Sequence, residues 1–338
     1  MNGIYLDHAA TTNVLGTVYR SMAQYAKTCL GNPSAIHSAG KNARQTIDLA
    51  RDDVLKMIGA PECGRLIFTS GGSEANNLAL TGMVHHLLDV QRQKILIGAT
   101  EHASIMNQRA RLRIRGIDSE LIEVEKSGVV MLEKLEDLLR NNCVGLVSVM
   151  MVNNETGTVQ PISQISELCH RYGALVHTDG VQAVGHIPIN VNDLGVDLMS
   201  ISGHKFGAPD GIGALYVNGP EVLSILEPLL LGGSQEYGIR AGTENVIGIV
   251  GLGAAARYVN SDLVFDIEIY KALRCEFIKV LRDSGEEFKV NGYSLMTGCC
   301  PNILSITFGD VEAEALLLLM NYDGVYISAA SACSAGSL

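Results

Sequence analysis

Apolar residues in this chain fall into two rhythms, and the rhythm changes once. Through the middle of the sequence, short continuous apolar runs alternate with stretches of helical period. Residues 65–69 (RLIFT) and 94–98 (KILIG) read as strands, each followed by a helical stretch, 73–88 and 104–115. The run 144–150 (VGLVSVM) is apolar throughout, as an interior parallel strand requires. Pro161 then opens a helix with Ile162, Ile165, Leu168 and Cys169 on one face, and Gly173 closes it. Residues 174–178 (ALVHT) are the next strand. This alternation predicts an α/β domain built on a mostly parallel sheet. Ligands in such a sheet bind beyond the carboxyl ends of the strands.

After about residue 255 the order changes. Residues 266–282 read as one amphipathic helix, 302–307 as a strand, 312–320 as a helix and 324–327 as a short strand. These predict a smaller α+β domain shared with the extreme N-terminus. The expected division is 16–255 for the large domain, and 1–15 with 256–338 for the small one. No internal repeat or low-complexity linker interrupts either.

Composition narrows the class. The chain has 338 residues, 47% of them hydrophobic, enough for a large core, and a net charge of −11 with no long basic run. A nucleic-acid partner is therefore not expected. No apolar run reaches the length of a membrane helix, and the N-terminus lacks the basic start and apolar core of an export signal. Eight cysteines without a CxxC pair form no disulfide framework in a chain this long, and most lie in apolar stretches. A reducing cytoplasm is the expected location.

Candidate chemistry sits where strands end. In 197–213 (DLMSISGHKFGAPDGIG) a short apolar strand runs into small residues, then Lys205, then a Gly-rich turn. An amine presented so can form a Schiff base with a carbonyl cofactor, whereas an isolated Lys beside a turn is usually surface. Asp179 ends the 174–178 strand. A carboxylate there needs a partner, either a protonated ring nitrogen, a helix N-terminus or a salt bridge. Gln182, three residues on, is placed to bond a ring substituent or is plain surface. In TSGGSE (69–74), Gly72 and Ser73 open a helix whose free N–H groups attract an anion, although Ser-Glu also begins ordinary helices. His102 is placed to stack on a flat ring or to serve structure. Asn153 and Asn154 follow the 144–150 strand, where paired Asn residues also make turns. Cys333 lies among small polar residues near the C-terminus and is either a mobile nucleophile or an incidental tail cysteine. The stretch GLGAAA (251–256) imitates a dinucleotide fingerprint, but it lies inside a helical pattern with no preceding strand, so it reads as close helix packing. No tight His/carboxylate cluster suggests a metal.

Taken in order, YLDHAATT (5–12), GNPS (31–34), TSGGSE (69–74), TEH (100–102), VNNE (152–155), HTD (177–179), SGHK (202–205), RAGT (240–243) and SAC (331–333) resemble the NifS/IscS-type cysteine desulfurases. These are pyridoxal-phosphate enzymes of the class V aminotransferase group, with the fold type I architecture. The resemblance implies that Lys205 carries the cofactor and moves the substrate α-proton, that Asp179 pairs with the pyridine nitrogen, and that His102 stacks on the ring. It implies that Asn154 and Gln182 bond near the phenolic oxygen, and that Gly72, Ser73, Ser202 and His204 hold the phosphate. Thr243 would reach the phosphate of a neighbouring subunit, giving a homodimer. Cys333 would take sulfur from L-cysteine as a persulfide, releasing L-alanine, for a sulfur-acceptor protein such as an Fe–S scaffold or a tRNA-thiolation relay. Selenocysteine lyase activity, or a catalytically impaired pyridoxal-phosphate-binding scaffold, are the alternatives.

Two departures from the pattern stand out. The sequence stops at Leu338, just past the Cys motif, where the family usually continues with a segment that brings a substrate-clamping Arg. The small domain is therefore expected to look incomplete, with an exposed apolar edge. Asp210 also stands where the family often has a basic residue.

Overall fold

The computed structural model describes residues 3–28, 31–141, 143–293, 298–309 and 311–329. Within them the strands are β1 (Ile4–Tyr5), β2 (Arg65–Thr69), β3 (Lys94–Gly98), β4 (Asp118–Ile122), β5 (Val144–Ser148), β6 (Leu175–Asp179), β7 (Leu198–Ser202), β8 (Gly213–Val217), β9 (Phe288–Val290), β10 (Ile306–Phe308) and β11 (Val325–Tyr326).

Seven of these form one sheet in the order β2-β8-β7-β6-β5-β3-β4. All neighbours are parallel except β8, which runs antiparallel to both β2 and β7. Every residue of β5, β7 and β8 is buried. Successive side chains feed opposite faces: Leu66 and Phe68 join one apolar cluster, and Ile67 between them joins the other. The sheet is thus covered on both sides, which is why its strands read as unbroken apolar runs rather than alternating ones.

One buried polar ladder crosses this sheet. His177 on β6 bonds Ser148 Oγ on β5 through Nδ1 (2.9 Å) and Ser200 Oγ on β7 through Nε2 (3.0 Å). Burial drives its basicity down to about 3, so the ring is neutral.

Several helices depart from the sequence expectation. The 73–88 stretch is two helices, Gly72–Gly82 and Val84–Asp89, and 104–115 is likewise Ala103–Met106 and Arg109–Ile114. The expected 266–282 helix is the distal part of a single 38-residue helix, Val246–Asp283, which passes residue 255 without a break. Its first third is buried and rich in Gly and Ala. A Cβ on Gly253 would come within 2.8 Å of Ala50 Cβ, and one on Gly251 within 2.9 Å of Met22 Sδ. The false dinucleotide fingerprint is therefore the seam against helices Ser38–Met57 and Gly16–Thr28.

Beyond the sheet, β9 and β10 form an antiparallel pair, and β1 lies parallel to β11, joining the N-terminal residues to the last described strand. Here the apolar surface is open: Val264, Phe265, Leu273, Phe277, Val280, Leu318, Leu319 and Tyr322 are all exposed. The expected apolar edge is present.

Candidate active site

The carboxyl ends of β2, β3, β5, β6 and β7 lie on one side of the sheet. Asp179, the last residue of β6, is only 4% exposed. Its Oδ2 accepts from Asn76 Nδ2 (2.7 Å) and its Oδ1 from the Val181 N–H (2.9 Å). Burial pushes the carboxyl upward, while Val181, Asn76, His102 and Lys205 pull the other way. A buried carboxylate in that balance favours a cationic group against it.

Asn76 also donates to Ser104 Oγ (2.8 Å), which lies 2.8 Å from His102 Nδ1. The Ser104 N–H donates to the same Nδ1 (3.1 Å), so His102 caps the Ala103–Met106 helix and its ring orientation is fixed. Beneath it, Glu101 Oε1 accepts from the Met150 N–H (2.5 Å). Burial, and after it the charge of Asp179, hold this carboxyl well above its ordinary range, against the bond from Met150.

Lys205 closes a short 3₁₀ turn, Gly203–Lys205, directly after β7. Its Nζ donates to Ala9 O (2.5 Å) and Ala10 O (2.7 Å), and Gln182 Nε2 donates to the same Ala9 O (2.8 Å). Thr12 clasps the turn from the other side: its Oγ1 donates to His204 O (2.8 Å) and accepts from the Gly207 N–H (2.9 Å). His204 Nδ1 lies 3.0 Å from Thr11 Oγ1 and 3.7 Å from Asp210 Oδ1. Burial and the nearby Lys205 lower its pKa. His186 Nε2 reaches the Lys205 carbonyl (2.9 Å), and burial brings that imidazole down to about 4, so it is a neutral donor. The amine is thus held through the backbone carbonyls of Ala9 and Ala10, and its charge acts on the Asp179 carboxyl.

The third part is an anion cradle. Gly71 precedes the eleven-residue Gly72–Gly82 helix and offers it no side-chain cap. A Cβ on Gly72 would come within 2.6 Å of Val181 Cγ2 and 3.8 Å of Ser202 Oγ, so glycine lets this helix start lie beside both Ser202 and the Asp179 turn. Ser73 is exposed at the rim. Free N–H groups, the helix dipole and a serine hydroxyl face the same space, the usual donor set for a phosphate.

The structure therefore brings together Gly72, Ser73, His102, Asp179, Gln182, Ser202, His204 and Lys205. Asn154 stands half-buried in the turn after β5. Its neighbour Asn153 makes that turn, accepting the Thr156 N–H (2.8 Å) and donating to Thr100 O (3.2 Å). Thr243 is exposed beyond Arg240, whose Nε bonds Glu74 Oε1 (3.0 Å). Cys333 lies outside the described residues. Of the other cysteines among the described residues, Cys169, Cys299 and Cys300 are buried, and Cys63, Cys143 and Cys275 are exposed rather than core. Sequence reading passed over Asn76, Ser104, His186 and the carbonyls of Ala9 and Ala10. Asn76 had a signal, since it stands one helical turn after Gly72 on the same face. The carbonyls had none.

Residue types also fit a flat, phosphate-bearing, cationic ring. Gln182 Oε1 and Asn76 Oδ1 are buried and have no hydrogen-bond partner among the described residues. Both are acceptors left open beside the Asp179 carboxylate, as a ligand bringing its own donors would require.

Comparison with known proteins accords with this geometry. The family model described as aminotransferase class-V matches residues 4–338. The chain is 40% identical to the cysteine desulfurase IscS of Dictyoglomus turgidum over 99% of its length and 83% of that protein's. It is 42% identical to a putative cysteine desulfurase, IscS 1, of Bacillus subtilis over 100% of its length and 87% of that protein's. Among solved structures, a NifS-like protein from Rickettsia africae superposes with a TM-score of 0.88 at 32% identity, covering 98% of this chain and 88% of that one. SspA in complex with cysteine superposes at 0.85 and 32% identity, covering 99% and 91%. The chain belongs to the class V aminotransferase family and, within it, stands with the cysteine desulfurases of the IscS and NifS type.

Proposed function

We propose that this protein is a pyridoxal-phosphate-dependent cysteine desulfurase that converts L-cysteine to L-alanine and passes the sulfur to Cys333. The buried Asp179 carboxylate, facing open acceptors and the Lys205 amine in one cleft, is the observation that carries the reading. Pyridoxal phosphate would be held by the N–H groups of Gly72 and Ser73 with Ser202 and His204 at its phosphate, by His102 over the ring, and by Asn154 and Gln182 at the ring oxygen. Bound there, it supplies an electron sink for the substrate carbanion.

The remaining work falls to the chain. Asp179 holds a proton on the ring nitrogen, which burial of the carboxylate favours because an ion pair offsets its desolvation. Lys205 Nζ takes the proton from the substrate α-carbon and returns one to the product, a general acid–base task that contributes roughly 10²–10⁴-fold. Carbonyls of Ala9 and Ala10 keep that amine aimed into the cleft. Cys333 attacks the substrate sulfur as a thiolate; the carbon–sulfur bond breaks, a sulfur–sulfur bond forms, and L-alanine leaves with the released electron pair and a proton. A persulfide of this kind then serves a sulfur-acceptor protein, for Fe–S cluster assembly or tRNA thiolation. Thr243, exposed on its loop, would complete the phosphate site of a second copy in a homodimer.

The reading takes residues 16–255 as the cofactor domain, and 1–15 with 256–338 as the domain that carries Cys333. It places the enzyme in the cytoplasm, where its thiols stay reduced; no helix among the described residues is long and apolar enough to cross a membrane.

Borohydride reduction followed by peptide mapping should place the pyridoxyl label on Lys205. Alanine release from L-cysteine should be measurable and should be lost in Cys333→Ala. A label on another residue, or none, overturns the cofactor assignment. Alanine release that persists in Cys333→Ala overturns the sulfur route.

A further inference from the structure

Between residues 236 and 238 the backbone turns left-handed three times in succession, at Glu236 (φ 45°), Tyr237 (φ 61°) and Gly238 (φ 79°). Two of these carry a Cβ. Such residues stay in this conformation only where their surroundings impose it, and they cluster at ligand clamps.

What imposes it here is a buried two-armed ion pair. Glu236 Oε1 accepts from Arg51 Nη2 (2.7 Å) and Oε2 from Arg51 Nη1 (2.9 Å), with Arg51 8% and Glu236 4% exposed. The guanidinium also bonds the Leu66 carbonyl, and its carbon lies 4.7 Å over the Phe68 ring and 5.3 Å over the Tyr237 ring. Glu236 Oε2 accepts a further bond, from the Phe68 N–H (2.8 Å). Four residues later Arg240 takes Glu74 Oε1, while Glu74 Oε2 accepts the Ser70 N–H (2.8 Å). Burial raises the Glu74 carboxyl, but the bonds from Arg240 and Ser70 outweigh it and bring it below its ordinary range.

Two acid–arginine pairs rooted in one strained turn therefore hold the N–H groups on either side of Thr69. That segment is the approach to the cradle: β2 ends at Thr69, and the open helix begins at Gly72. A cavity of about 50 Å³ lies between the turn and residues 68–70, so the segment has room to shift if the pairs are removed. Replacing a buried ion pair with apolar residues often leaves stability unchanged, and partly exposed pairs such as Arg240–Glu74 contribute little, so stability alone is a weak reason for two pairs at this one place.

We infer that the 236–240 turn is a positioning frame for the anion cradle. The Arg51–Glu236 and Arg240–Glu74 pairs fix residues 68–74 in the geometry that receives a phosphate monoester. None of the four side chains is placed to touch the phosphate itself; they are positioning residues. The inference rests on the cofactor reading above and adds the device that sets its phosphate site.

Apoprotein titrated in parallel with pyridoxal 5′-phosphate and with pyridoxal separates the phosphate contribution from everything else. Arg51→Met/Glu236→Leu removes the pair without stranding a buried charge. It should lower the ratio of the two affinities by about tenfold or more, the worth of one charge-assisted contact, while pyridoxal binds about as in the wild type. Tyr237→Gly should keep the wild-type ratio, because glycine adopts the left-handed turn unaided. Should the double variant fail to fold in a thermal melt, Arg51→Lys gives the reading instead: it keeps the charge, loses the two-armed geometry, and should lower the ratio by about threefold. An unchanged ratio in the folded variant, or equal weakening of both compounds, overturns the frame, since general loosening acts on both alike. Wild-type protein that binds neither compound overturns the cofactor reading itself, a separate result.

Discussion

The two ends of the Val246–Asp283 helix live in different surroundings. Its first turns lie in the core, with Gly251 and Gly253 tight against neighbouring helices and Ala254, Ala255 and Ala256 buried. Its second half presents Phe265, Leu273, Phe277 and Val280 to the surface, and the later Ala313–Tyr322 helix has no buried residue at all. The first end belongs to the same packed body as the strand ends where Asp179, His102 and Lys205 are held by hydrogen bonds. The second supports the region that leads to Cys333. A group that must hold a ring needs rigid neighbours. On the proposed reading Cys333 must meet first a substrate and then a partner protein and needs no such rigidity; loosely packed elements are where local opening is easiest.

The largest expected effect contrasts the two ends directly. Gly253→Leu puts a side chain where a Cβ alone would meet Ala50 at 2.8 Å. It should cost about 3 kcal/mol or more in denaturant unfolding, whereas Leu273→Ala in the same helix should cost no more than about 0.5 kcal/mol. Similar losses at the two positions would remove the contrast.

A titration sharpens it. Folded His177 stays neutral down to about pH 3, while its unfolded counterpart takes a proton near the ordinary value of 6.5. Below pH 6.5 the unfolded state therefore holds the extra proton, and stability falls as pH falls. The slope is about 1.4 kcal/mol per pH unit from this group, ending near pH 3. His177→Gln should flatten the stability profile across that window, whatever it does to absolute stability. An unaltered slope would mean that the ladder does not bury a neutral ring.

The smallest effect belongs to the open surface. Leu318→Ser and Leu319→Ser should each change unfolding free energy by about 0.5 kcal/mol or less. A loss several times larger would show that these side chains are covered in the working protein.

Legibility in the sequence followed the same divide. Lys205, Asp179 and His102 were readable because each follows an apolar run that can only be a buried strand, and strand ends are where ligands bind. The strands β2, β3, β5 and β6 were readable for the same reason. Other parts were hidden because their partners are remote. Glu236 meets the Phe68 N–H across 168 residues, and nothing local marks Glu236 as buried. Lys205 meets carbonyls, which every residue owns. The antiparallel β8 was missed because direction leaves no mark in an apolar run. The long helix was cut short because its Gly- and Ala-rich start lacks the amphipathic stripe that marked its exposed end.

The clasp between Thr12 and residues 204–207 bears on how the protein is made. Thr12 is made well before its partner His204, which lies 192 positions later, and Ser328, which bonds Asp7 Oδ1, lies 321 positions after that residue. At translation rates of about 5–20 residues per second, the leading segment waits roughly ten to forty seconds for its first partner. Until then the carbonyls of Ala9 and Ala10 have no Lys205 to receive, and the Val246–Asp283 half of the helix seam comes later still. The nascent chain therefore passes through a long interval in which the segment around residues 7–12 waits for partners that have yet to be made.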